Sequence, residues 1–172
     1  MKYLLYILLL STSLAIISCG GNDKSPQSEK EDQAGGGGSL TAFQLENGIG
    51  PVTEKILLGD IDPVKVKNGE ALFIAKCAPC HKLDKRLVGP ALRYVTKRRS
   101  PEYILNMILN PTGMVKDHPE AKKVLGEYLS PMTNMNLTLD QAKELLDYLR
   151  STKKEGDEKN IPEVPLFRSS QQ

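Results

Sequence analysis

The segment Cys77-Ala78-Pro79-Cys80-His81 constrains this chain more than any other feature of its sequence. Two cysteines separated by two residues and followed directly by a histidine are typical of a c-type haem attachment site. On one helical turn the two thiols can form thioethers with one edge of a porphyrin, and the adjacent imidazole can bind the iron. The motif therefore predicts one covalent haem c, attached through Cys77 and Cys80, with His81 as the proximal iron ligand.

Three other interpretations of the cysteine pair are a disulfide, a thioredoxin-like redox pair and half of a zinc site. Zinc would need two further soft ligands at a similar spacing, and the chain has only one other cysteine, Cys19. A thioredoxin motif would need a βαβ context, and the sequence shows no such pattern. A haem would also supply apolar bulk to a chain that has three Phe and no Trp.

The first 39 residues have the composition of a targeting segment followed by a linker. Residues 1–18 combine a short basic start with an apolar run too short for a bilayer of roughly 30 Å, which predicts a removable signal peptide. The run ends in Ile16-Ile17-Ser18-Cys19, which resembles a bacterial lipobox and implies a lipid on Cys19. An ordinary signal peptide with an incidental cysteine is the alternative. Residues 19–39 are rich in Gly, Ser and charged residues, and predict a flexible tether.

Capping signals predict helices from residue 62 onward. Asp62 and Ser100 are each followed by proline, a combination that favours a helix start. A third helix is expected to open at Asp117–Pro119. A capping box at Thr138 predicts a last helix that ends near Thr152.

The predicted helices define a domain of residues 62–152, with further segments on either side. Residues 40–61 are expected to form an irregular arm along the domain surface. Residues 153–172 are charged and contain two prolines, which predicts a disordered tail. Gly69 inside the first helix is explained if another helix backbone passes close to it. Apart from the arm nothing argues for a sheet, so the expected fold is all-α, with about four helices around the haem.

A haem with one histidine ligand needs a sixth ligand or keeps an open site. A methionine in a helical apolar stripe is more often part of the core, and a histidine in a polar turn is expected to face solvent. Met132 lies in an irregular segment just before the last helix, where a thioether can point inward. We favour Met132, with Met135 as the next alternative and an open or His-ligated iron as a further one. The candidates considered are Met107, Met114, Met132, Met135 and His118.

A proline soon after the proximal histidine can accept a hydrogen bond through its carbonyl from the other imidazole nitrogen. Pro90 lies at such a position, and this contact would fix the orientation of the His81 ring. A simple turn at Gly89-Pro90 is the alternative.

Together these features resemble a class I cytochrome c over about residues 62–152. Gly69-x-x-x-Phe73 and Leu145-Leu146-x-Tyr148-Leu149 resemble the family's N- and C-terminal helices, which cross in contact around that glycine. Gly89-Pro90 matches the proximal loop, with Pro90 in the carbonyl role. The segment from Met132 to Thr138 resembles the family's approach to the last helix, and this alignment makes Met132 the axial sulfur.

More narrowly, the lipobox and residues 46–51 and 96–103 resemble small monohaem lipoprotein cytochromes of Bacteroidota-type bacteria. Some of these are associated with nitrous oxide reductase systems. The resemblance implies a one-electron carrier, not an enzyme, held in the periplasm by the lipid on Cys19. It would pass electrons from a respiratory-chain donor to a terminal reductase or oxidase. The alternative is a haem protein whose open or labile axial site binds or reduces a small ligand.

Residues 76–99 contain eight basic residues and one acidic residue, Asp84, although the formal charge of the whole chain is only +2. If this segment surrounds the haem edge, it would steer the protein toward redox partners with acidic faces, and association would depend on salt. Scattered solvated charge and contacts to the haem propionates are the alternative. We expect no nucleic acid as a partner.

Overall fold

The computed structural model describes residues 39–168. No β-strand occurs among these residues, and the prediction of an all-α fold is confirmed. None of the helices described here is both long and apolar enough to cross a bilayer. The expectations for residues 1–18, for Cys19, for nearly all of the tether and for residues 169–172 lie outside the described residues. The helices are α1 (Ala42–Asn47), α2 (Pro63–Leu72), α3 (Val95–Arg98), α4 (Pro101–Leu109), α5 (Pro111–Asp117), α6 (Pro119–Tyr128) and α7 (Leu139–Glu158).

The four predicted helices are α2, α4, α6 and α7, and their capping residues explain where they begin. The Asp62 carboxylate accepts a hydrogen bond from the Val64 amide at 2.8 Å, with proline at the first helical position. Ser100 caps α4 in the same way, and Thr138 forms the predicted capping box with Gln141.

Three short helices, α1, α3 and α5, were not predicted. Helix α1 begins with a capping box between Thr41 and Gln44, a signal that the sequence contained. Helix α5 begins at Pro111, where the Asn110 side chain accepts from the Gly113 amide. Pro111 therefore begins a new helix as well as ending α4, because its fixed φ suits a first helical turn.

The prediction of a disordered tail from residue 153 is wrong for the described part of that segment. Helix α7 continues to Glu158, with ion pairs four residues apart on its exposed face. The chain then reverses at Asn160, which adopts a left-handed conformation (φ 52°). Residues 161–168 return across the domain and are bound by side chains of other segments. The charged residue Glu163 in this segment forms ion pairs with Lys97 and Arg98.

The N-terminal arm is held more tightly than a surface segment would be. The fully buried Asn106 side chain of α4 donates to the carbonyls of Asn47 and Val52 at 3.0 and 2.9 Å, and accepts from the Val52 amide at 2.9 Å. Buried Glu102 accepts from the Ile56 amide at 2.7 Å. These side chains satisfy backbone groups that no strand partner reaches, which is why an irregular arm can be buried.

The core lies between α2, α4 and α7, and the tightest contact in it is the crossing of α2 and α7. A Cβ atom added at Gly69 would lie 2.1 Å from the Glu144 carbonyl oxygen, so only glycine permits this approach. The close approach predicted for Gly69 is thus confirmed. One turn further on, the Phe73 and Tyr148 rings pack with centroids 5.3 Å apart.

Replacing Gly69 by alanine is expected to lower the free energy of unfolding by roughly 1–3 kcal/mol, because the two backbones must separate. Gly126→Ala in α6 is the matched control, since nothing lies within 4 Å of its added Cβ. That variant should be more stable by up to about 1 kcal/mol through helix propensity. Denaturant unfolding of the two haem-loaded variants tests this, and equal effects would contradict the crossing contact.

Candidate haem site

The cysteine motif begins on a π-helical turn, Phe73–Cys77, that continues α2. The Ala78 amide donates to the Phe73 carbonyl at 2.8 Å, and the amides of Cys80 and His81 both donate to the Cys77 carbonyl. This local widening is frequent at functional sites in helices. It places Cys77 half-buried and Cys80 at the surface, both as free thiols.

The His81 ring is held by the loop that follows the motif. Its Nδ1 lies 2.9 Å from the Pro90 carbonyl oxygen, the contact expected from the sequence. Because a carbonyl can only accept, Nδ1 carries the proton and Nε2 keeps its lone pair free for a metal. Burial lowers the pKa of His81, and the hydrogen bond to Pro90 opposes part of that shift.

Gly89 allows this arrangement, because a Cβ atom added there would lie 2.3 Å from His81 Cε1. The Gly89 amide also donates to the Cys80 carbonyl at 2.9 Å. Gly89 is therefore bonded to the residue that precedes the histidine and lies directly against the imidazole ring.

Arg93 anchors the end of this proximal loop to α7. Its guanidinium forms two hydrogen bonds with Asp84, the second at 2.8 Å, and donates to the Thr152 carbonyl and the Glu155 carboxylate, each at 2.9 Å. The hydrogen bonds that Arg93 donates to Asp84 and Glu155 raise the pKa of Arg93 despite its burial. In the sequence Arg93 is only one of the eight basic residues of the segment 76–99, and no local pattern indicates that it anchors this loop to α7.

An apolar crevice opens beside the motif. Its inner chamber has walls from the π-helical turn, α4 and α7, and both His81 and Met132 line it. Apart from His81 and the hydroxyl of Tyr103, the side chains are apolar or sulfur-containing, which suits a flat hydrophobic ligand. The lining residues are Phe73, Cys77, His81, Leu92, Val95, Tyr103, Ile104, Met107, Ile108, Met132, Leu145 and Leu149.

The crevice continues into an outer chamber, which shares five lining residues with the inner one, Met132 among them. Arg98 and Arg99 line this outer end together with Tyr128 and Ser130. An apolar inner end and polar side chains at the outer end match an amphiphile with polar groups at one edge, such as haem.

The structure separates the candidates for the sixth ligand. Met132 is half-buried and lines both chambers, and Met107 on α4 lines them too. Met135 is half-buried but does not line either chamber. Met114 is fully buried elsewhere, and its sulfur accepts from the Ile49 amide at 3.0 Å.

His118 does not face solvent, contrary to the expectation from its polar surroundings. It is fully buried, with Nε2 3.1 Å from the Leu45 carbonyl and Nδ1 accepting from the Glu120 amide at 3.2 Å. It caps α6, which the sequence predicted to open somewhere within Asp117–Pro119. Since both ring nitrogens are occupied, His118 is not available as an iron ligand.

The chemistry of the cysteines argues against the other interpretations of the motif. Burial, and to a lesser extent the neighbouring Cys80, raise the pKa of Cys77 to about 11. A thioredoxin-like pair needs the opposite shift, because the thiolate is the reactive form. Among residues 39–168, no group of three or more His, Cys, Asp or Glu side chains is arranged to hold a metal ion, so the further ligands that a zinc site at this motif would need are lacking there.

The sequence profile of the Cytochrome c family matches residues 66–153, the part that contains the motif, most of the residues that line the crevice, and most of α7. The chain belongs to the Cytochrome c family. It is a class I, monohaem member, and its cofactor is haem c, bound covalently. Membership also supports a function as an electron carrier.

Three relatives illustrate the similarity. A cytochrome c from Rhodothermus marinus is 46% identical, with a TM-score of 0.62, over 66% of this chain and 97% of its own. An engineered form of that protein, bound to a carbene intermediate, is 45% identical with a TM-score of 0.59, over 65% and 97% of the two chains. Cytochrome c-551 from Stutzerimonas stutzeri is 44% identical over 41 residues, 23% of this chain. The match spans 39% of that curated relative.

The residues of the crevice fit a haem c. Cys77 and Cys80 would hold its vinyl edge, His81 offers a free Nε2, and Met132 offers a thioether in the same chamber. The sequence motif was sufficient to find the cysteines and the histidine. Tyr128 at the outer end was missed, because the sequence gives no signal for it beyond its place on α6.

Replacing Gly89 by alanine is expected to push the His81 ring away from the Pro90 carbonyl. Loss of that hydrogen bond makes the imidazole a weaker donor to ferric iron, so the reduction potential should rise. A redox titration measures this, with Gly126→Ala as the control at an open position. An unchanged potential would show that the contact does not tune the ligand.

Proposed function

We propose that this protein is a lipid-tethered periplasmic electron carrier, not an enzyme. It would accept one electron from a respiratory-chain donor and deliver it to a terminal reductase or oxidase. The observation that carries the proposal is that His81 and Met132 line the same apolar chamber beside the attachment cysteines. Two protein ligands leave no open coordination position, and a methionine ligand favours a high potential.

The bound haem supplies a single ferric–ferrous couple, and the chain keeps its surroundings constant. The apolar chamber excludes water from the iron. The Pro90 carbonyl and Gly89 hold the imidazole, and Arg93 fixes the loop that carries them. A site that changes little between the two oxidation states loses little energy to rearrangement, which suits electron transfer.

The tether and the acceptor are proposed from the sequence. A lipid on Cys19 followed by residues 20–39 would keep the domain close to a membrane while allowing it to reach partners. Among terminal reductases we favour nitrous oxide reductase, because residues 46–51 and 96–103 resemble lipoprotein cytochromes associated with such systems.

Ion pairs within the chain reduce the number of basic side chains that are available to an acidic partner. Five of the eight basic residues in the segment 76–99 bind carboxylates of this chain. These are Arg86 with Glu127, Arg93 with Asp84 and Glu155, Lys97 and Arg98 with Glu163, and Arg99 with Glu120.

Lys76, Lys82 and Lys85 have no ion-pair partner among the described residues. They flank the exposed Cys80, one of the two residues that would hold the haem, and Leu87 and Val88 are 48% and 44% exposed on the loop bonded to it. This docking face, an apolar centre bordered by lysines, fits a redox partner with an acidic surface.

Replacing Met132 by alanine should abolish the charge-transfer band of the sulfur–ferric iron bond and lower the reduction potential. Met107→Leu is the control inside the crevice and Met135→Leu the control outside it. Optical spectra and redox titration of the three variants measure this. A band retained in Met132→Ala and lost in one of the controls would move the ligand to that residue.

Replacing Lys76, Lys82 and Lys85 together by glutamine should slow electron exchange with hexacyanoferrate at low salt and speed exchange with the hexaammineruthenium cation. Both effects should disappear at high salt, where charges are screened. The matched control replaces three exposed lysines outside the docking face, Lys65, Lys67 and Lys122. If both triple variants behave alike in stopped-flow measurements, net charge and not this face governs the encounter.

A second function, binding of a small ligand at a labile axial site, is favoured by one observation. The engineered relative is bound to a carbene intermediate. If a small ligand were to bind the iron of this chain, Met132 would have to leave it. Rapid, tight binding of carbon monoxide to the ferrous protein would support this function, whereas no binding at millimolar gas would support the electron carrier.

A further inference from the structure

Residues 161–168 form a C-terminal strap that lies beyond the segment matched by the Cytochrome c family, which ends at 153. The strap begins where the chain reverses at Asn160, and the Ile161 amide donates to the Gly156 carbonyl at 2.9 Å. Tyr94 donates to the Ile161 carbonyl at 2.6 Å. Gly156 permits this contact, since its added Cβ would lie 2.7 Å from the Tyr94 oxygen.

The middle of the strap is bound by an ion-pair cluster on α3. Glu163 accepts from Lys97 and from Arg98, each at 2.8 Å. Burial raises the pKa of Glu163, but the hydrogen bonds from Lys97 and Arg98 outweigh it and lower the pKa overall. Arg98 also donates to the Ala91 carbonyl at 2.8 Å, so the same guanidinium joins the strap to the proximal loop.

The end of the strap binds the C-terminal turn of α6. The Leu166 carbonyl accepts from the Tyr128 hydroxyl at 2.9 Å and from Arg86 at 3.0 Å. The Arg86 guanidinium lies 4.1 Å from the centre of the Tyr128 ring and also binds Glu127 at 2.7 Å. The Leu166 side chain lines the outer chamber of the crevice, as Met132 does.

Tyr128 is the last residue of α6, and the methionine loop, residues 129–138, follows it directly. This loop starts with a left-handed residue, Leu129 (φ 53°), which is 84% exposed, and it contains no helix or strand. The position of Met132 in the crevice therefore depends on this loop. On its N-terminal side the loop is anchored by the end of α6.

We propose that the strap positions the axial methionine, by fixing Tyr128 and hence the start of the loop that carries Met132. The proposal rests on the Met132 ligation set out above. Tyr128 acts as a positioning residue, with the Leu166 carbonyl as its acceptor. Without the strap the loop opens more often, so the iron loses its thioether ligand to competitors more readily.

Imidazole binding to the ferric protein, followed by loss of the sulfur–iron charge-transfer band, measures how easily Met132 is displaced. A chain that ends after Asn160 lacks the strap, and a chain that ends after Arg168 keeps it and serves as the matched control. We expect the shorter chain to bind imidazole at least about tenfold more tightly. The control chain should match the full-length protein.

Tyr128→Phe tests the proposal in the full-length chain if the shorter chain does not fold. Loss of one hydrogen bond to the Leu166 carbonyl should tighten imidazole binding by about two- to tenfold. Tyr148→Phe is the control, since Tyr148 is a buried residue of α7 that packs against Phe73 and does not line the crevice.

The outcomes separate this proposal from the proposed function. If the full-length protein shows no sulfur–iron band, Met132 ligation itself fails. If the band is present but Tyr128→Phe and the control bind imidazole equally, Met132 ligation stands and the positioning role of the strap is rejected. Tighter imidazole binding in both tyrosine variants would also reject it, because a general loss of stability would then explain the effect.

Discussion

The close crossing of α2 and α7 is the contact on which the rest of this domain depends. It needs a residue without a side chain at Gly69, where the backbone of α7 lies within van der Waals distance. The crossing brings the π-helical turn that follows α2, with Phe73 and Cys77, to the face of α7 that carries Leu145 and Leu149. Two walls of the crevice are therefore consequences of a single helix packing angle and distance.

Buried polar side chains hold the irregular segments of the domain against its helices. Asn106 binds the arm, and Arg93 binds the proximal loop to α7. Both are buried: Asn106 satisfies carbonyl groups of the irregular arm, and Arg93 joins the Thr152 carbonyl to the carboxylates of Asp84 and Glu155. Such residues replace the regular ladders that a sheet would provide, and their removal would leave buried backbone groups unpaired.

Structural features could be predicted from the sequence where the residues that cause them lie close together along the chain. The helix starts at Asp62, Ser100 and Thr138 could be found, since a capping side chain and the backbone amide that donates to it lie within three residues. His118 was misplaced, because its burial comes from an arm more than 70 residues away in sequence. The tail was misjudged for the same reason, since Glu163 is stabilised by cations on α3 that no local pattern reveals.

The sequence by itself determined the chemistry of the site, because thioether attachment and proximal ligation depend on Cys77, Cys80 and His81 at fixed spacing within one turn. Only the tertiary structure decided which methionines reach the crevice, with Met107 and Met132 inside and Met114 and Met135 outside it. It also decided which cations stay free for a partner. Both depend on distances between segments far apart in the chain, and a linear pattern carries no information about those distances.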